Sequence, residues 1–384
     1  MIWTELESEL AALADKHLLR TRKTLESGCN THMMVSGKSL LAFCSNDYLG
    51  LASHQSIGQA ICDAVKHWGT GSGGSHVVNG HMLPHQQLEE ALADFVGADR
   101  ALYYSTGYMA NIGVVPTLVG RGDAVFADRL NHASLIDAVQ LSRAEHRRYA
   151  HKDMAQLEKM LAASDAKRKL ILTDAVFSMD GDIAPLKELF DLAERYDAWL
   201  VLDDAHGFGV LGLEGRGSLS HFGMPFHPRM VYVGTLGKAA GVSGAFVAGA
   251  STVLEYLMQR SRSYIFTTAS SPIIASALLT ALELIKTGES RRKQLRALSQ
   301  CLRDGLSGTA WQLLPSSTAI HPVVVGGNEA VLKVSKALMD RGIWVPAIRP
   351  PTVPQGAARL RISLSASHTL DDVKRLTDAL REIE

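Results

Sequence analysis

Trp199-Leu200-Val201-Leu202-Asp203-Asp204-Ala205-His206-Gly207 is the stretch on which the fold turns. Four apolar residues run straight into two carboxylates and a histidine. A second run, Met230-Val231-Tyr232-Val233-Gly234, leads in the same way into Thr235-Leu236-Gly237-Lys238. Short continuous apolar runs of this kind read as strands covered on both faces, and one crossover separates the two. In an open parallel sheet, ligands gather outside the carboxyl ends of the strands. An acid, a histidine and a lysine are therefore expected at one edge.

The chemistry of that trio narrows the ligand. A carboxylate at the end of an apolar strand is costly to bury unless it faces a cation, and a protonated pyridine nitrogen would supply one. Lys238 stands among Gly237, Ala239, Ala240 and Gly241, small residues that leave room for a flat ring. Loss of solvent there would lower the lysine pKa toward nucleophilic use. A Schiff-base lysine and an acid for a ring nitrogen are what pyridoxal 5'-phosphate (PLP) requires. A structural Asp–Lys pair at the sheet edge accounts for each residue taken singly, but not for the ordered set.

Outward from this centre, short apolar runs at 101–104, 124–127, 169–173, 199–202, 230–234 and 245–248 alternate with segments of helix length such as 185–196. That alternation predicts βαβ crossovers and a mainly parallel sheet. Upstream, Leu6, Leu10 and Leu13 keep helical spacing before a basic cluster of Lys16, Arg20, Arg22 and Lys23. An extended piece at 40–44 and a helix at 56–68 follow. After about Gly308 the texture becomes α+β: strand-like 321–325, 343–347 and 359–363, a helix near 329–341, and a last helix opened by a Thr369/Asp372 capping box. The expected division is an N-terminal helix and extended segment (1–55), a large α/β domain (56–287) and a small α+β domain (288–384).

Composition excludes other classes. The 384 residues are 46% hydrophobic and 20% charged, with 39 basic residues against 39 acidic ones. That is a globular balance without the basic excess of a nucleic-acid binder. Cys29, Cys44, Cys62 and Cys301 show no C-x-x-C pairing, which fits a reducing compartment. No secretory h-region opens the sequence. The most lipid-like stretch, 272–285, is shorter than the roughly 20 residues of a membrane span and carries Glu283. Ser271 and Pro272 mark it as a capped, buried helix. The expectation is a cytoplasmic protein.

Three weaker motifs bear on ligands. Gly69-Thr70-Gly71-Ser72-Gly73-Gly74 contains G-x-G-x-x-G but follows a helix, with Ile57, Ile61 and Val65 on one face. A dinucleotide fingerprint must follow a strand, so a nicotinamide site is rejected, leaving a loop that closes over a flat or anionic group or a flexible turn. His81 and His85 have the spacing of a zinc helix, but Pro84 is expected to break that helix, so an ordinary loop and no metal are predicted. Ser105-Thr106-Gly107-Tyr108 joins a strand to a helix beginning near Met109. It serves either as an anion site at a helix N-terminus or as a simple N-cap.

Several motifs, in order and spacing, resemble the α-oxoamine synthase family of fold-type I PLP enzymes along essentially the whole chain. They are Asn46-Asp47-Tyr48-Leu49-Gly50, Gly71-Ser72-Gly73-Gly74-Ser75, Asn131-His132-Ala133-Ser134, Phe177-Ser178-Met179-Asp180-Gly181-Asp182, Asp203-Asp204-Ala205-His206-Gly207 and Thr235-Leu236-Gly237-Lys238. The resemblance implies the aspartate-aminotransferase architecture and a homodimer. It implies PLP held by Lys238, which also removes the Cα proton. Asp203 would meet the ring nitrogen, His206 and Ser178 the ring hydroxyl, and His132 the ring face. Gly107, Tyr108 and Thr235 would bind the phosphate, with Thr268 reaching it from a second subunit. Arg361 would clamp the amino-acid carboxylate, and Asn46, Arg349 and Thr352 would lie near substrate. Arg20 would either meet the acyl donor or belong to a solvated helix face.

Ala347-Ile348-Arg349-Pro350-Pro351-Thr352-Val353-Pro354 followed by Arg359-Leu360-Arg361 resembles the branch that joins L-alanine to a pimeloyl thioester of coenzyme A or of acyl carrier protein. A sister reaction, such as glycine with acetyl-CoA, and a non-catalytic PLP-binding paralogue are the alternatives. The sequence departs from the family pattern at Asp174, where Glu is usual, at Phe208, where Thr is frequent, and at Ala239-Ala240, where Gly is common.

Overall fold

The computed structural model describes residues 2–384. Two compact units divide the chain: one is formed by Leu49–Ser178 with Ile183–Glu289, the other by Met1–Tyr48, Met179–Asp182 and Ser290–Glu384.

The first unit is built on a seven-stranded sheet. In spatial order its strands are Arg100–Tyr104, Ala245–Gly249, Met230–Thr235, Ala198–Asp203, Lys169–Asp174, Ala124–Asp128 and Glu145–Tyr149. The last five pair in parallel, while Ala245–Gly249 runs antiparallel to both neighbours. The sheet is thus α/β and mainly parallel, as the alternation of runs predicts. Every residue of Ala124–Asp128 and Ala245–Gly249 is buried, which is why residues 124–127 and 245–249 form continuous apolar runs rather than alternating.

The edge strand Glu145–Tyr149 goes unpredicted. Glu145, His146, Arg147 and Arg148 give it no apolar run, and charge on an edge strand is what keeps it from pairing with another chain. Helix Gly107–Leu118 starts two residues before its expected position, with Thr106 Oγ1 accepting the Met109 N–H. Helix Pro272–Lys286 buries one face against helices Gln55–Trp68 and Leu83–Val96. Ser271 occupies its N-cap position without a side-chain bond to the helix.

In helix Leu83–Val96 the proline expected to break the helix opens it instead. Pro84 lies in the first turn, where its missing N–H has no partner to lose. The glycine-rich loop is tied down by hydrogen bonds. It packs against the chain's own residues, with Ser72 Oγ donating to Ala269 O at 2.6 Å and Ala269 N–H donating to Gly74 O at 2.9 Å.

The second unit holds two small sheets. His32–Val35 and Lys38–Ala42 form a hairpin through Ser36 and Gly37, both at positive φ, and Ile343–Trp344 adds in parallel. A four-stranded antiparallel sheet has the order Gln312–Leu313, Ile320–Gly326, Ala358–Ser363, Ala347–Ile348. The expected strand 343–347 is therefore two short ones serving different sheets, and Pro346 lies between them. The capping box forms as read, Thr369 and Asp372 each bonding the other's backbone N–H. Helix Ile2–Asp15 has no buried residue. Among the described residues, no helix is long and apolar enough to cross a membrane.

Candidate active site

Strand register places the predicted acids. Asp203 and Asp174 face each other as the last residues of adjacent parallel strands, and Asp203 pairs with Val233 on the other side. Three carboxyl ends thus share one edge of the sheet. The two acids of the Asp203–Asp204 pair then part company. Asp204 is fully buried and accepts from Ser218 N–H, Ser218 Oγ and Tyr232 OH. Burial pushes its pKa up to about 6. Its partners spend both its oxygens, so it is a structural carboxylate.

Asp203 accepts from Ala205 N–H at 3.0 Å and from Asn111 Nδ2 at 2.6 Å. It is 5% exposed and, among the described residues, has no ion-pair partner. A buried anion without a counter-ion is costly, so this carboxylate fits the protonated ring nitrogen of PLP. Asp174, beside it, has its pKa raised well above the ordinary value, first by burial and then by the charge of Asp203. Its Oδ2 accepts the His132 N–H at 2.7 Å, which ties the start of helix Ala133–Ser142 to the sheet edge.

His132 is the N-cap of that helix. Its Nδ1 lies 2.7 Å from Ser134 Oγ and accepts the Ser134 N–H at 3.2 Å, so the ring proton sits on Nε2. Loss of solvation lowers its pKa, Asp203 raises it and Lys238 lowers it. The same three groups therefore feel one another. Asn111, which sequence reasoning missed, also donates to Ser134 Oγ at 2.9 Å, joining Asp203 to His132 through three hydrogen bonds. Its signal was there: it is a lone amide in the apolar helix Gly107–Leu118.

Lys238 Nζ lies 2.9 Å from His206 Nε2. The turn that carries the lysine is closed by Gly241 N–H on Lys238 O and by Val242 N–H on Leu236 O. Thr235 Oγ1 donates to Ala205 O at 3.1 Å, and its methyl faces Gly107, where a Cβ would come within 2.6 Å of Thr235 Cγ2. Gly107 thus brings a helix N-terminus onto this edge. Thr106 caps Met109, and the first N–H groups of a helix have no partner within it, a donor set that suits a phosphate.

Ser178 lies in the loop that follows strand Lys169–Asp174, close to the bridge between Val176 and Ile183. Thr268 is exposed. The backbone around it is pinned by Gly74 and Ser72, by His85 Nε2 on Ser270 O at 2.8 Å, and by Ser270 Oγ on Ser105 Oγ at 3.1 Å.

In the other unit, Arg361 is 5% exposed and donates to Asn46 Oδ1 at 3.1 Å, to Ser363 Oγ at 2.9 Å and to Tyr48 OH at 3.4 Å. Tyr48, a second residue missed, also donates to Asn46 Oδ1. Arg359 is held by Asp180 and Met179 O. Arg349 donates to His17 O and Leu19 O, and loss of solvent and the charge of Arg20 lower its pKa. Arg20, Lys23, Arg349 and Thr352 gather with Leu332 and Trp344 around a cavity of about 360 Å³. The predicted substrate residues of this unit thus form two groups: Asn46 with Arg361, and Arg20 with Arg349 and Thr352.

Comparison with known proteins agrees with this chemistry. Residues 38–380 match the family Aminotransferase class I and II. An 8-amino-7-oxononanoate synthase of Herminiimonas arsenicoxydans is 63% identical over 99% of each chain. A serine palmitoyltransferase of S. paucimobilis, solved with bound PLP–myriocin aldimine, superposes with a TM-score of 0.92 at 30% identity, covering 98% of this chain and 96% of that one. An 8-amino-7-oxononanoate synthase from Francisella tularensis gives 0.79 at 31% identity, covering 90% and 97%.

Proposed function

The chain belongs to the class I and II aminotransferase family, and from that membership we propose that it condenses L-alanine with a pimeloyl thioester. The products are 8-amino-7-oxononanoate, carbon dioxide and the free carrier thiol, a reaction of biotin biosynthesis. It is a PLP-dependent acyltransferase, and its relatives matched over the full length are named 8-amino-7-oxononanoate synthase. The observation that carries the reading is the buried Asp203, without an ion-pair partner among the described residues, at the same sheet edge as the Lys238–His206 contact.

Bound PLP supplies an aldehyde that an amine can engage and a ring that accepts an electron pair. Lys238 is assigned the covalent hold and, once released, the removal and return of the alanine Cα proton. Asp203, fixed by Asn111 and Ala205 N–H, keeps the ring nitrogen protonated. His206 steers the lysine amine, and with Ser178 serves the ring hydroxyl. His132, with its tautomer set by Ser134, covers the ring face. Gly107, Tyr108 and Thr235 hold the phosphate, with Thr268 contributed by the second chain of a homodimer.

Arg361 takes the alanine carboxylate, a task suited to a forked donor. Asn46 supports that arginine, and Arg20, Arg349 and Thr352 meet the acyl donor. The setting we propose is the cytoplasm, in keeping with a chain that has no membrane-length helix among the described residues.

The test is proton NMR of L-alanine in heavy water with the PLP-loaded protein, followed by pimeloyl-CoA and mass spectrometry of the product. Loss of the Cα-proton signal, abolished in Lys238→Ala, and a mass matching 8-amino-7-oxononanoate are expected. Exchange of glycine or serine in preference to alanine would move the chain to a sister reaction. No exchange of any amino acid would overturn the reading.

A further inference from the structure

Away from that edge, helix Leu83–Val96 and the loop before it bring together three histidines that the proposed reaction does not use. One ring nitrogen from each of His76, His81 and His85 lies within 4.8 Å of the others, and His76 Nδ1 is 2.9 Å from His81 Nδ1. From this geometry we propose that His76, His81 and His85 bind a divalent transition-metal ion of the zinc class.

The hydrogen bonds say which nitrogens are on offer. His81 Nε2 lies 3.1 Å from Gln86 Oε1, and His85 Nε2 lies 2.8 Å from Ser270 O. Both oxygens can only accept, so both Nε2 atoms carry the ring proton and both Nδ1 atoms hold a lone pair. Metal-ligating histidines almost always donate their outer N–H to a carbonyl or carboxylate in this way, which fixes tautomer and ring orientation. The His85 lone pair now receives the Met82 N–H at 3.0 Å, and a metal ion would take that place.

His76 is held by stacking on Tyr264, with centroids 4.9 Å apart and planes 7° apart, and by edge contact with His85 at 5.1 Å. Its Nδ1 supplies the proton shared with His81. On binding, the ion takes the Nδ1 position and the ring proton is carried on Nε2, so that His76 binds as a neutral imidazole.

An all-imidazole donor set suits zinc, copper or nickel rather than magnesium or calcium, which take oxygen. Zinc needs nitrogens about 2.0–2.1 Å from the ion, so a modest inward movement of rings already aimed at one another completes three ligands and leaves a fourth place for water. The site also has a mechanical link. His85 anchors Ser270, whose hydroxyl donates to Ser105, the residue before the Thr106 cap.

Isothermal titration of tag-free, PLP-loaded, chelator-treated protein with zinc chloride decides the matter. One ion per chain is expected, with affinity reduced about tenfold or more in His76→Asn and in His81→Asn and unchanged in the surface control His67→Asn. A smaller loss in Gln86→Leu would report the anchored outer N–H. Because His81 is only half-buried on a loop, its variant tests the site even where a His85 variant fails to fold. Absence of a saturable site, or a site that His76→Asn and His81→Asn leave intact, would overturn the assignment. Neither outcome depends on turnover, so the reaction proposed above stands or falls separately.

Discussion

Arg361 donates to Asn46, Ser363 and Tyr48, and its planar fork is what a lysine cannot reproduce. Arg361→Lys is expected to raise KM for alanine by about 10- to 100-fold, with a smaller effect on kcat, because a bidentate charged contact is worth roughly 1.5–3 kcal/mol. Steady-state kinetics with varied alanine measure this directly. Glu89 is a different case. It is buried, accepts the Tyr103 N–H at 2.7 Å, and burial pushes its pKa up to about 8. The folded chain therefore keeps a proton that the unfolded chain releases above its ordinary carboxylate pKa, and this residue makes stability fall as pH rises from about 4.5 to about 8. Glu89→Gln mimics the protonated form, so thermal melts should show a Tm advantage that is absent at pH 4 and grows to a few degrees by pH 8. An advantage independent of pH would contradict this assignment.

At the scale of elements, helix Gly107–Leu118 is placed by one missing side chain. A Cβ on residue 107 would lie 2.6 Å from Thr235 Cγ2, closer than such atoms approach. Gly107→Ala is expected to push the helix N-terminus off the sheet edge, costing about 1–3 kcal/mol of stability and weakening PLP retention. Differential scanning calorimetry and the dissociation constant for PLP check the two effects.

What could be read from sequence at this scale follows from burial. Ala124–Asp128 and Met230–Thr235 are legible because a doubly covered strand carries a continuous apolar run, here residues 124–127 and 230–234. Glu145–Tyr149 is not, since an edge strand is recognised by a pairing partner that lies elsewhere in the chain. The site divides in the same way. Asp203, His206 and Lys238 announce themselves by following apolar runs. Asn111 and Tyr48 act through residues distant in sequence, and only the folded chain brings them together. Pro84 misled for a local reason, because a proline reads as a breaker or an opener according to where the helix starts.

At the scale of the molecule, the two units are not consecutive stretches of chain. The second is assembled from both ends and from Met179–Asp182 in the middle. Asp180 pairs with Arg359, and Gly181 O accepts from Ser316 and Thr318. The hairpin strand Lys38–Ala42 finds its parallel partner at Ile343–Trp344, about 300 residues later. During synthesis at about 5–20 residues per second, that strand waits tens of seconds for its neighbour, whereas residues 49–289 lack only the four-residue segment 179–182, which belongs to the other unit. A chain stalled on the ribosome after residue 320 should therefore be cut by protease within its first 48 residues while 183–289 resist. Equal sensitivity throughout would show that neither unit forms ahead of release. An N-terminal hairpin whose second edge stays unpaired for so long is an open template for wrong pairing in the nascent protein.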